Sequence, residues 1–211
     1  FHDTTLRRSI RSICYQNGRT LQTLNFGACC GLGLESIQKI TKNCVGLKNV
    51  DLSSTGLSKE SIIFLVNNLT PKVKKLNLDR LRNLKDEHLK VLVTRCNTLS
   101  VLNLQFTSIT NDSLTHIIGN LQHTLEKLHV CGRDDGALYY ITSSKITELK
   151  SMPKLRVLNL TLDRQWYIGG QEIENLKKIM PLMRFGEISA DERELLPADG
   201  IWDVEAKQLE Y

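Results

Sequence analysis

Apolar residues recur along the chain in the order Leu-x-x-Leu-x-Leu, with apolar replacements, starting at Leu21, Leu47, Val73, Leu99 and Leu125, an interval of 26 residues each time. A sixth copy starts at Leu155 after 30 residues, and a decayed seventh follows with Leu182, Phe185 and Ile188. Each copy divides into the same halves. A short alternating stretch such as Leu76-Asn77-Leu78 predicts a strand, and the segment after it has helical apolar spacing. Ile62, Leu65, Val66 and Leu69 share one helical face, as do Leu89, Leu92 and Val93, and likewise Leu114, Ile117, Ile118 and Leu121. Ser58 and Thr110 stand where N-caps are needed, and Glu60 and Asp112 fall in first turns, where the helix dipole favours a negative charge.

One strand-helix unit cannot bury its apolar face alone, so successive units must stack. The expected fold is α/β: a leucine-rich-repeat horseshoe of about seven repeats, with a parallel sheet on the concave side and helices on the convex side. Residues 1–186 are expected to form this solenoid. The last copy carries Glu187 at its third apolar site, so residues 187–211 are expected to be an acidic cap and tail that packs back on the solenoid.

Strand alternation turns the Leu residues inward and the residues between them onto the concave face. That face is expected to hold Thr23, Asn25 and Gly27, then Asn49, Asp51 and Ser53, and so on through Val157, Asn159 and Thr161. It is polar and rich in small hydrogen-bonding side chains, which suits a partner's loop or extended segment. The expected partner contacts are Lys75, Asn77, Asp79, Asn103, Gln105, Lys127, His129 and Asn159. The longer spacing between the fifth and sixth strands leaves room for a loop carrying Tyr139 and Tyr140, and amphipathic tyrosines are favoured at interfaces.

Charge sharpens the division between body and tail. Residues 187–211 hold eight acidic and two basic residues, a net of −6, so the first 186 carry +11 of the total +5. The densest basic stretch is Lys72, Lys74, Lys75, Arg80, Arg82, Lys85, Lys90 and Arg95. Its field would steer acidic or phosphorylated partners to the body. Nucleic acid is disfavoured, because no aromatics interleave with these cations.

The chemistry available is not catalytic. His129 and Cys131 share a strand face, but residues two apart on a strand lie roughly 7 Å apart, too far for direct activation of the thiol. The five histidines are scattered, so no metal site is expected, and no phosphate loop or other cofactor motif is present. Six cysteines without a closely spaced framework fit a reducing compartment, cytoplasmic or nuclear, and no stretch reaches the roughly 20 apolar residues of a membrane helix. Cys44 and Cys96 lie three residues before a strand's first Leu, two repeats apart, and Cys29 falls eight residues after Leu21. A free thiol in such a slot acts as a small buried hydrophobe.

These cysteine slots, together with Thr20 to Phe26, Val73 to Leu78, Thr94-Arg95-Cys96, the Met152-Pro153 and Met180-Pro181-Leu182 pairs and the terminal Ile201-Trp202, resemble the F-box leucine-rich-repeat family over nearly the whole chain. The resemblance implies the substrate-receptor arm of a Skp-cullin-F-box ubiquitin ligase. In that role the concave face and back-folded tail hold a phosphorylated cell-cycle regulator, helped by a small cyclin-kinase adaptor. It adds Trp202 to the expected contacts. It also implies an F-box ahead of the repeats, absent from this chain, as the dock for the ligase adaptor. The rival reading is a ligase-independent scaffold or inhibitor of a protein or nucleic-acid partner that uses the same sheet.

Overall fold

A computed structural model describes residues 3–131, 141–161, 174–175 and 178. The chain opens with helix α1 (Asp3–Asn17) and then alternates: β1 (Thr23–Asn25), α2 (Leu34–Asn43), β2 (Asn49–Asp51), α3 (Lys59–Asn68), β3 (Lys75–Asn77), α4 (Asp86–Arg95), β4 (Val101–Asn103), α5 (Asn111–Leu121) and β5 (Lys127–Cys131). A short α6 (Ser143–Glu148), a 3-10 turn (Leu149–Ser151) and β6 (Val157–Thr161) follow. The six strands form one sheet in chain order, every pair parallel. The predicted strand-helix alternation and parallel sheet are what the structure shows. The seventh repeat and the acidic tail lie outside the described residues.

The register is the sequence period made physical. Thr23 pairs with Asn49, Asn49 with Lys75, Lys75 with Val101 and Val101 with Lys127, each one 26-residue step. Across the longer interval Lys127 pairs with Val157, so the insertion leaves the sheet in register. The central strand positions therefore stack as one column: Leu24, Val50, Leu76, Leu102, Leu128 and Leu158 are all buried. Burying each such side chain stabilises by about 1.5–3 kcal/mol. Ile37, Ile62, Leu65, Leu89, Leu92, Leu114 and Ile117 close the core from the helix side.

The helix boundaries follow their local chemistry. The Ser58 hydroxyl accepts the Ser61 N–H at 3.2 Å and the Thr110 hydroxyl accepts the Asp112 N–H at 3.2 Å, so both predicted caps are made. At α4 the Lys85 N–H donates to Nδ1 of His88 at 3.1 Å, which places an imidazole where a Glu or Gln usually reaches back. Two of the three cysteine slots are buried as expected, Cys44 and Cys96, whereas Cys29 is half-buried against the core; the Cys96 thiol donates to the Thr70 carbonyl of the previous repeat at 3.6 Å. The Cys14 and Cys44 sulfurs sit 3.7 Å apart and join α1 to the end of α2. Burial pushes the Cys44 thiol up to about 12, aided by its neighbour Cys14, and the Cys96 thiol up to about 11, so both stay protonated. Gly46 is dictated by close approach, because a Cβ there would meet the Arg19 carbonyl oxygen at 2.8 Å.

Candidate protein-binding surface

Three rows of side chains run across the strands on the face opposite the Leu column. The first is Thr23, Asn49, Lys75, Val101, Lys127 and Val157, and the second is Asn25, Asp51, Asn77, Asn103, His129 and Asn159. The third, at the strand ends, includes Gly27, Ser53, Asp79 and Gln105.

The second row is a built ladder. The side-chain oxygen of Asn25 accepts the N–H of Gly27 at 2.8 Å, Asp51 that of Ser53 at 2.8 Å, Asn77 that of Asp79 at 3.1 Å and Asn103 that of Gln105 at 3.0 Å. Each Asx residue thus satisfies a backbone donor as the strand turns outward. Rungs are tied to one another too: Asn77 donates to Asp51 at 3.2 Å, and Asp51 also accepts the Ser53 hydroxyl at 2.7 Å. In the first row Asn49 donates to the Thr23 hydroxyl at 3.2 Å.

After the ladder each of the first four repeats turns through a non-glycine residue of positive φ. Ala28 (57°), Ser54 (55°), Arg80 (59°) and Phe106 (52°) hold that place, none of them glycine. The conformation aims their N–H groups along the sheet. Ala28 donates to the Ser53 carbonyl, Ser54 to that of Asp79 and Arg80 to that of Gln105, at 2.8–2.9 Å. Because the period sets Arg80 beside Phe106, the guanidinium lies 4.8 Å from the ring centroid, and its Nε approaches the Asp79 carboxylate at 3.4 Å. Sequence reading did not find this pair, although the 26-residue offset between positions 80 and 106 was the available signal.

The expected contact residues divide accordingly. Lys75, Asn103, Gln105, Lys127, His129 and Asn159 are half-buried on the concave sheet, and the register makes Asn103, His129 and Asn159 consecutive rungs. Asn77 and Asp79 occupy their expected strand positions but are only 2% and 4% exposed, because both are drawn into the ladder and its turn. Tyr139, Tyr140 and Trp202 lie outside the described residues. The basic stretch does not form one patch. Lys72 and Lys74 are exposed where strands begin, and Lys75 lies on the concave sheet. Arg80, Arg82 and Lys85 are exposed where strands end, and Lys90 and Arg95 are exposed on α4.

His129 stands where the other repeats carry Asn or Asp. Burial pushes its imidazole down to about 4, and the Lys127 charge adds to the shift, so the ring is neutral at physiological pH. The row therefore offers neutral hydrogen-bonding groups between Lys75 and Lys127. Among the described residues no group of three His, Cys, Asp or Glu side chains converges to hold a metal ion, and no helix is long and apolar enough to cross a membrane.

With this geometry in place, the model of the SKP2 LRR domain matches residues 2–188. The chain belongs to that family. The resemblance in the repeats and cysteine slots is thereby shown, and with it a protein-binding leucine-rich-repeat domain of a family whose members are interaction scaffolds. Among solved structures, the leucine-rich repeat-containing protein LegL7 from Legionella pneumophila is similar, with 17% identity and a TM-score of 0.53 over 82% of this chain. The chain spans 57% of that protein's length, and the likeness is one of fold. The actin-binding site 2 fragment of Leiomodin-1 is also similar, with 14% identity and a TM-score of 0.48, over 82% of this chain and 87% of that one. Comparison with curated protein sequences gave no match.

Proposed function

We propose that this domain is the substrate-recognition arm of a Skp-cullin-F-box ubiquitin ligase and holds a phosphorylated regulatory protein inside the cell. The observation that carries the reading is the family match over residues 2–188. The polar, half-buried concave face is consistent with it. Such an arm performs no chemistry of its own and contributes proximity and orientation. The partner lies against Lys75, Asn103, Gln105, Lys127, His129 and Asn159, with Tyr139 and Tyr140 at the sheet margin. The acidic segment 187–211 packs back on the solenoid at the concave site and brings Trp202 to it, where a small cyclin-kinase adaptor completes the surface. An F-box elsewhere in the native polypeptide docks the ligase adaptor.

The test uses the native full-length polypeptide, tagged and purified from cells in which ubiquitin transfer is blocked. Skp and cullin subunits are expected with both wild type and Asn103→Trp, while a set of substrates is lost from the variant. Absence of ligase subunits from both samples sinks the ligase reading. An unchanged substrate set with Asn103→Trp, in a variant that still unfolds cooperatively, sinks the concave site.

A further inference from the structure

Parallel strands and returning helices give the solenoid two unlike rims. One gathers strand ends and helix N-termini, and it mixes the acidic residues of the first turns, Glu35, Glu60, Asp86, Glu87 and Asp112, with the cations Lys59, Arg80, Arg82 and Lys85. The other gathers strand starts and helix C-termini. The segments that build its first four repeats, 17–23, 42–49, 68–75 and 94–101, contain seven Lys or Arg and no Asp or Glu. Arg19, Lys42, Lys48, Lys72, Lys74 and Arg95 are all exposed there. Helix dipoles account for Lys42 and Arg95, which sit in last turns. The other four stand beyond any helix.

Lys48 and Lys74 hold the same register position on neighbouring rungs: the Lys48 N–H donates to the Gln22 carbonyl at 2.8 Å, and the Lys74 N–H to the Lys48 carbonyl at 2.7 Å. Rungs are about 4.8 Å apart, and like charges placed side by side across a sheet destabilise it. The same column shows how the repulsion is relieved elsewhere, since Glu126 and Arg156 occupy its last two rungs. Among the described residues no such carboxylate stands beside Lys48 or Lys74 on this column, and the first half of the rim keeps a row of cations that the fold does not need.

We infer that this rim is a second docking surface, separate from the concave ladder, for a partner's extended run of carboxylates. Its segments contain no Phe, Tyr or Trp on which nucleic-acid bases could stack, which favours an acidic polypeptide. The surface stands whether or not the concave face binds a ligase substrate.

The experiment measures binding of a fluorescent Glu-Gly repeat peptide to the 211-residue chain by anisotropy at low and physiological salt, with thermal unfolding of the same samples. Wild type is expected to bind with an affinity that falls as salt rises. Lys74→Glu is expected to weaken binding about tenfold or more and also to raise Tm, because the introduced carboxylate lies beside Lys48. A merely structural role would not separate those two readouts. Lys90→Glu, on the outer helix layer, is expected to leave binding unchanged. The proposal is overturned if Lys74→Glu binds the peptide as wild type does, or if Lys90→Glu weakens binding equally. It is also overturned if a single-stranded oligonucleotide or phosphatidylserine vesicles bind more tightly than the peptide at matched charge.

Discussion

Ser54 is asked to adopt φ 55° in a place where any Cβ is crowded, as Ala28, Arg80 and Phe106 also are. Left-handed backbone costs a residue with a side chain roughly 1–2 kcal/mol, whereas glycine forfeits only part of that in extra chain entropy. Ser54→Gly is therefore expected to stabilise the domain by about 0.5–1 kcal/mol, read as a higher urea midpoint at unchanged m; a lower midpoint would show that the serine side chain has a stabilising role. The turn was invisible in the sequence because none of the four residues is the Gly or Asn that announces positive φ. His129 supports a second expectation at this scale. Its imidazole is lowered from 6.5 to about 4 by burial, so the unfolded chain takes up the proton first as pH falls. The associated stability is fully present above 6.5 and is lost as pH falls from there toward 4, by at most about 3 kcal/mol. His88, lowered chiefly by burial and accepting the Lys85 N–H, acts in the same direction. His129→Asn restores the ladder's usual residue and should flatten the acid side of the stability curve. Urea unfolding across that pH range checks it, and an undiminished slope would assign the acid sensitivity to another group.

Between elements, Asp86 does more than favour its own helix dipole. It lies in the first turn of α4, and its carboxylate accepts the Thr110 N–H and hydroxyl, both at 2.8 Å, and the Ser113 hydroxyl, which ties α4 to the start of α5. Asp86→Ala leaves three donors without that acceptor and is expected to cost about 2–4 kcal/mol. Hydrogen exchange should locate the loss at residues 110–113; a loss confined to α4 would mean that the carboxylate serves only its own dipole. Thr110 was legible as a cap because a cap is a local signal. Its link to Asp86 was not, since the partners are 24 residues apart and meet only once repeats stack. The concave site divides in the same way. Alternation identified which side chains face away from the Leu column, but the burial of Asp51, Asn77 and Asp79 depends on neighbouring rungs that no single strand reveals.

Across the whole molecule, each repeat is held by its neighbours in the stack, so the reach of a core substitution depends on how far coupling passes from one interface to the next. Among the described residues α1 precedes the first strand and packs on α2, through contacts that include the Cys14 and Cys44 sulfurs. Ile10 is buried in that layer, 1% exposed. Ile10→Ala removes about 2–5 kcal/mol of packing, and in a stack held by nearest-neighbour interfaces the loss should stay near the α1–α2 interface where it occurs. Hydrogen exchange is expected to quicken across α1 and the first turns of α2, while β3, β4 and the helices between them keep their protection. Leu102→Ala, at the centre of the sheet, should lower protection on both of its sides. If Ile10→Ala instead reduces protection uniformly from α1 to β6, the repeats unfold as a single cooperative body, and coupling between them exceeds what each interface carries alone.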